Sequence, residues 1–187
     1  QINPHFLFNA LNTLAAVIRR DPEAARQIVL HLSTFFRKSL KRPSNDATLK
    51  DELEHVDAYL QIELARFAGR LDVEMNIPEE LLHYRLPTFT LQPIVENAIK
   101  HGVSQMIEPG KIAISAEKSD GTLSIRVEDS AGLYKPVPEG DGLGMNLVDR
   151  RIKIRYGANY GVRIACEPER RTCVTIALPI EEETVPC

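Results

Sequence analysis

The sequence has few cysteines, no excess of basic charge and no long apolar run. Its three cysteines, Cys166, Cys173 and Cys187, lack the spacing of metal ligands. Cys166 falls in phase with Val162 and Ile164 on one expected strand, whereas Cys173 falls out of phase with Val174 and Ile176 on the next. The two should face opposite sides of a sheet, so no bridge between them is expected and a reducing compartment fits. A formal net charge of -3 gives no basic field, so nucleic acid is not the expected partner. No apolar stretch is long enough to span a bilayer, and the first residues do not form a signal peptide. Internal repeats and low-complexity tracts are missing too. The first residues already lie inside a patterned segment, without an initiating Met, so the chain reads as a fragment of something longer. What remains is an ordinary globular composition, 43% hydrophobic and 26% charged, in 187 residues that suit one domain or two small ones.

The first 70 or so residues are helical in pattern. Leu7, Leu11, Leu14 and Ile18 recur at spacings of four, three and four, which predicts a coiled-coil-like seam. Asp21-Pro22-Glu23 reads as a helix restart, with Asp as cap and Pro at the first helical position. Ile28, Leu32, Phe35 and Phe36 supply the apolar face of the second helix, which runs to about Leu40. Residues 42–46 form a turn cluster, and Thr48 with Asp51 resembles a capping box. The next helix carries Leu53, Val56, Tyr59, Leu60 and Leu64 and should end near Ala68-Gly69. An antiparallel helical hairpin leaves an apolar stripe uncovered, so a dimeric bundle is expected.

From Leu71 the period changes to that of strands. LDVEMNI alternates, residues 91–101 read as a helix, and KIAISAEKS and TLSIRVEDS read as strands joined at Ser119-Asp120-Gly121. Residues 130–142 look like a loop, Leu143 to Tyr156 like a helix, and GVRIACE with TCVTIALP like a last hairpin. The order predicts an α+β fold with helices on one face of a sheet. Two domains are expected, residues 1–69 helical and residues 70–187 α+β.

Three stretches could carry chemistry. In QPIVENAIKHG, Asn97, Lys100 and His101 share one helix face, with Glu96 beside them. A carboxamide oxygen can ligate a hard cation, and a lysine one turn on can reach a phosphate. In VEDSAGLY a strand runs into Asp129, whose carboxylate could accept from an exocyclic amine such as that of adenine. In GDGLGMNLVDRR, Gly142 and Gly144 open a helix whose first N–H groups could face an anion. Each stretch alone also fits an ordinary solvated face, strand-end turn or helix start.

Together, and in this order, they resemble the ATP-binding domain shared by gyrase, Hsp90, histidine kinases and MutL. With QINPHFLFNALN at the start, the whole chain resembles sensor histidine kinases of the LytS/YehU type, nearest the YehU branch. The resemblance implies a helical dimerisation and phosphoacceptor domain followed by an ATP-binding α/β sandwich. It implies ATP and Mg²⁺ as cofactors, with Asn97 holding the metal, Lys100 meeting phosphate, Asp129 on the adenine and His101 among the ATP-binding residues. Gly132, Gly142, Gly144 and Arg151 would complete the nucleotide site. His5 would be the phosphoacceptor, since imidazole is a good nucleophile near neutral pH. Asn9, one turn on, would orient the ring or position a water. The implied partners are a second copy of the chain and a response-regulator receiver domain. The implied location is the cytoplasmic portion of a bacterial inner-membrane protein, anchored through a missing N-terminal region.

The sequence departs from the wider pattern at several positions. Phe6 follows the phosphoacceptor where many histidine kinases outside this branch carry an acid, so that role is either unfilled or supplied from the other domain, with Glu96 as candidate. Ala131 and Leu133 stand where a first glycine box has glycines, and Asn146 sits one residue early in the second. Arg151 falls at the family's arginine position, while Arg150 suits a solvated face. These departures motivate a rival reading, a degenerate kinase serving as a dimeric scaffold. A clamp ATPase is disfavoured because Pro93 occupies the position where such enzymes place a catalytic glutamate.

Overall fold

The computed structural model describes residues 4–40, 45–134 and 143–180. Three helices form the N-terminal part: α1 (Pro4–Val17), α2 (Pro22–Leu40) and α3 (Leu49–Phe67). α1 packs against both of the others. Its buried residues are Phe6 and Ala10, with Phe6 in ring contact at 4.9 Å with both Phe35 of α2 and Tyr59 of α3. The expected seam is not this face. Leu11 and Ile18 are about half exposed and Leu7 and Leu14 only partly covered. The seam's period was legible, but the inward side was chosen by the two aromatic partners of Phe6.

α3 begins on the expected capping box. Thr48 Oγ1 accepts from the Asp51 N–H at 3.1 Å, and Asp51 accepts from the Thr48 N–H at 3.1 Å. It ends at Ala68, in the left-handed region at φ 49°.

The second part is a five-stranded sheet of order β2-β4-β5-β7-β6, from Leu71–Asn76 (β2), Gly110–Ser119 (β4), Thr122–Asp129 (β5), Gly161–Glu167 (β6) and Arg171–Pro179 (β7). β2 pairs parallel to β4 and the other pairs are antiparallel. Asp120 and Gly121 both take positive φ in the β4–β5 turn, as a tight hairpin requires. The buried residues Ile112, Ile114, Ile125 and Ile176 join Ile94, Ile99 and Ile152 of the helical layer in one core. Each such side chain contributes about 1.5–3 kcal/mol on burial. Cys166 pairs with Thr172 and Cys173 with Ala165, so the two thiols lie on opposite faces, and both are free.

Two features were not legible. A short antiparallel pair joins β1 (Asp46–Thr48), which starts on the last residue of the expected turn cluster, to β3 (Arg85–Pro87). The helix expected over residues 91–101 is a regular helix only at Gln92–Asn97 (α4), then widens into a π-turn over Ala98–Gly102. Such wide turns recur at functional sites because they re-aim side chains. The last helix, α5, spans Leu143–Tyr156 as expected.

Candidate functional site

One buried carboxylate fixes the site. Glu52 of α3 accepts the backbone N–H groups of Phe89, Thr90 and Leu91 at 2.6, 2.8 and 2.9 Å, immediately before α4. A carboxylate is the natural acceptor at a helix start, where N–H groups lack partners. Phe89 is held at φ 58°, which is unfavourable for a bulky residue and persists where surroundings enforce it. Burial raises the Glu52 pKa, opposed by those N–H groups and by Arg151. α4 is thereby pinned to the helical part.

The pinning creates an open cleft of about 210 Å³ between α1, α3 and α4. His5 and Asn9 line it from α1; Tyr59, Glu63 and Arg66 from α3; Glu96, Asn97, Lys100 and His101 from α4 and its π-turn; Gly144 from the start of α5. His5 is exposed while its neighbour Phe6 is buried, which explains an imidazole placed among apolar residues. Phe6 anchors the helix and turns His5 outward. The Asn9 side chain lies 3.2 Å from His5 Nδ1, one helical turn away.

Electrostatics in the cleft are set by two carboxyls. Glu63 is 3% exposed, and burial raises its pKa against the pull of Arg66, whose Nε donates to it at 2.6 Å. Nearby Glu96 raises it further, and His5 eases its ionisation. Burial likewise raises Glu96, opposed by a hydrogen bond from Gln92 and by Lys100. Burial and then Glu63 push the Tyr59 phenol well above its ordinary value. Among the described residues, the Asn97 carboxamide makes no hydrogen bond, and no group of three His, Cys, Asp or Glu could hold a metal unaided. A carboxamide ligand that needs phosphate oxygens and water to complete its shell suits Mg²⁺.

The remaining expected site residues lie elsewhere. Asp129 is buried at the end of β5, accepts the Ala131 N–H at 2.9 Å, and is raised by burial against N–H groups of Ala131 and Gly132 and the Thr172 hydroxyl. It abuts Gly102 at the end of the π-turn, where an added Cβ would fall 2.9 Å from the carboxyl carbon. Gly132, at φ +59°, packs on the β6–β7 turn, where a Cβ would fall 2.4 Å from the Glu167 carbonyl oxygen. Arg151 donates to Thr90 Oγ1 at 3.1 Å, beside Glu52, and so ties α5 to the start of α4. Gly142 lies outside the described residues, as does most of the expected loop at 130–142. The sequence reading missed Glu63, Arg66 and Tyr59. A signal was present: Glu52, Val56, Tyr59 and Glu63 recur at four, three and four, so an acid ends each side of an apolar stripe.

No helix among the described residues is long and apolar enough to cross a membrane. Residues 1–71 match the histidine kinase family, and residues 85–182 match the family of histidine kinase-, DNA gyrase B- and HSP90-like ATPases. The sensor histidine kinase BtsS of Escherichia coli K12 is 61% identical over 98% of this chain, which spans 33% of that relative's length. The sensor protein LytS of Bacillus subtilis is 33% identical over 97% of this chain, again spanning 33% of the relative. The fold resembles the catalytic domain of histidine kinase ThkA, with a TM-score of 0.55 at 14% identity, over 76% of this chain and 100% of that one. The chain belongs to the histidine kinase family.

Proposed function

We propose that this histidine kinase family member transfers the γ-phosphoryl group of ATP to His5 and then to an aspartate of a response-regulator receiver domain. The observation that carries the reading is one cleft holding His5 of α1 together with Glu96, Asn97 and Lys100 of α4 and its π-turn. Asn9 sets the rotation of the His5 ring. One ring nitrogen bonds to the γ-phosphorus as the bond to the bridging oxygen breaks, and ADP leaves with the electron pair. The proton on the ring passes to Glu96, which supplies the acid missing after His5. In the second step the N–P bond breaks, the aspartate oxygen takes the phosphoryl group, and the ring regains a proton.

Positioning and charge neutralisation dominate such a transfer. Asn97 would hold Mg²⁺, and the ion when bound neutralises phosphate charge. Lys100 would meet phosphate, with His101 beside it in the ATP-binding set, and Asp129, across Gly102, would receive the adenine amine. Gly132, Gly144 and Arg151 shape the surroundings, Arg151 by fixing the start of α4. The division at residues 69/70 separates the phosphoacceptor helices from the nucleotide domain. Exposed Phe8 and Leu11 on α1 and Ile18 just after it, with Val29 and Leu30 on α2, support a homodimer through the helical part. The location fitting this reading is the cytoplasmic side of a bacterial inner membrane, with the anchor in a preceding region.

The test is incubation of the full-length protein with γ-labelled ATP and Mg²⁺. An acid-labile, alkali-stable label that His5→Gln abolishes is expected. Nucleotide binding without any label would favour the scaffold, and steady release of free phosphate with no labelled protein would favour a clamp ATPase.

A further inference from the structure

Glu96 does not stand alone. Gln92 Nε2 donates to Glu96 Oε1 at 2.6 Å, one turn along α4, and Gln92 Oε1 lies 2.6 Å from His55 Nε2 on α3. An ionised Glu96 accepts only from the amide N–H, so the amide oxygen must face His55. That in turn assigns the His55 proton to Nε2. The ring is buried, stacked on Phe35 at 4.9 Å and edge-on to Phe89 at 5.6 Å. Among the described residues, its Nδ1 is buried and has no hydrogen-bond partner. A proton there would place an unpaired charge among aromatic rings, so the neutral Nε2–H form is the one that fits.

We propose that His55 and Gln92 are positioning residues that clamp the Glu96 carboxylate in the His5 cleft. The inference rests on the proposed role of Glu96 as proton acceptor. Its logic separates the two cleft carboxyls. Glu63 is paired with the Arg66 guanidinium, which holds its electron pairs in an ion pair. Glu96 is oriented instead by a neutral amide, so its orientation is fixed while its second oxygen need not serve a cation. The titratable groups that line the cleft with Glu96 are His5 from α1, Tyr59, Glu63 and Arg66 from α3, and Lys100 and His101 from its own turn. Lys38 of α2 lies within electrostatic reach of His55 and further disfavours its protonation.

The experiment is the rate of His5 labelling in full-length protein, with kcat and the KM for ATP measured separately. Gln92→Leu removes both hydrogen bonds. His55→Phe keeps the stack on Phe35 and removes only the donor, which guards against a Gln92 variant that fails to fold. Gln92→Leu is expected to lower kcat roughly tenfold with KM within about twofold, since misplacement of a catalytic group costs rate before binding. His55→Phe should lower kcat in the same way by less, and His55→Gln, which can still donate, should restore most of the rate. Unchanged kcat in both Gln92→Leu and His55→Phe, while Glu96→Gln is impaired, overturns this proposal alone. An unimpaired Glu96→Gln overturns it together with the proton-acceptor reading.

Discussion

Two glutamates on one helix, about three turns apart, invite comparison. Glu52 and Glu63 are both almost fully buried, at 4% and 3% exposure, and burial raises both. Their partners differ. Glu52 is saturated by three backbone N–H groups that cannot leave without unwinding the start of α4. Glu63 is met by one arginine and opens on a cleft with an imidazole and a second carboxyl. A perturbed carboxyl is thus not in itself a functional sign. The end whose partners are backbone holds the fold, and the end whose partners are side chains around a cleft is available for chemistry.

The largest effect that could break this contrast is at Glu52. Glu52→Ala should cost about 3–5 kcal/mol in chemical denaturation, because several buried N–H groups lose their acceptor. Labelling of His5 should fall with it as α4 comes loose. At the other end, Glu63→Gln should cost only about 1 kcal/mol of stability, since Arg66 is partly exposed and can turn to water. Its labelling rate should fall about threefold, against about 100-fold for Glu96→Gln, the usual range for loss of a proton acceptor.

The helix is also where sequence and structure part company. The capping box at Thr48–Asp51 and the end at Ala68 were legible because they depend on neighbours in the chain. Glu52 was not, since its three donors lie some 37–39 residues away and no local pattern announces them. In the site, Asn97, Lys100 and His101 were legible as one face and His5 as an imidazole with a purpose. Their meeting in one cleft was not, because it depends on Glu52 docking α4. Glu63 was hidden by the habit of reading charged helix positions as solvated. The π-turn after Asn97 had no sequence signal, and the β1–β3 pair is too short, and its partners too far apart in the chain, for a local pattern to show it.

The contrast also has a pH signature. Glu63 and Glu96 have folded pKa values above their ordinary 4.5, so the native protein holds protons that the unfolded chain has released. Their contribution is therefore full below about pH 4.5 and lost as pH rises through the folded values, by at most about 1.4 kcal/mol per pH unit per carboxyl. Asp46, lowered by its hydrogen bond from Arg155, acts in the opposite sense. The difference between Glu96→Gln and the parent protein isolates the effect: the variant's unfolding free energy should decline less over that window. The smallest effect is at the exposed start of the same helix. Thr48→Ala should cost about 1 kcal/mol by loss of the cap and leave the labelling rate at the parent value, since nothing in the cleft depends on it.

The most direct measurement is where the phosphoryl group lands. Five histidines are candidates, and they differ in surroundings: His5 in the cleft, His31 on α2, His55 buried against Phe35, His83 beside Tyr84, and His101 at the end of the π-turn. After brief exposure of full-length protein to ATP and Mg²⁺, peptides mapped by mass spectrometry at alkaline pH should carry phosphate on His5 and on no other histidine. Phosphate on His31, His55, His83 or His101 with His5 unmodified, or no phosphopeptide at all from protein that binds nucleotide, would contradict the assignment of the cleft.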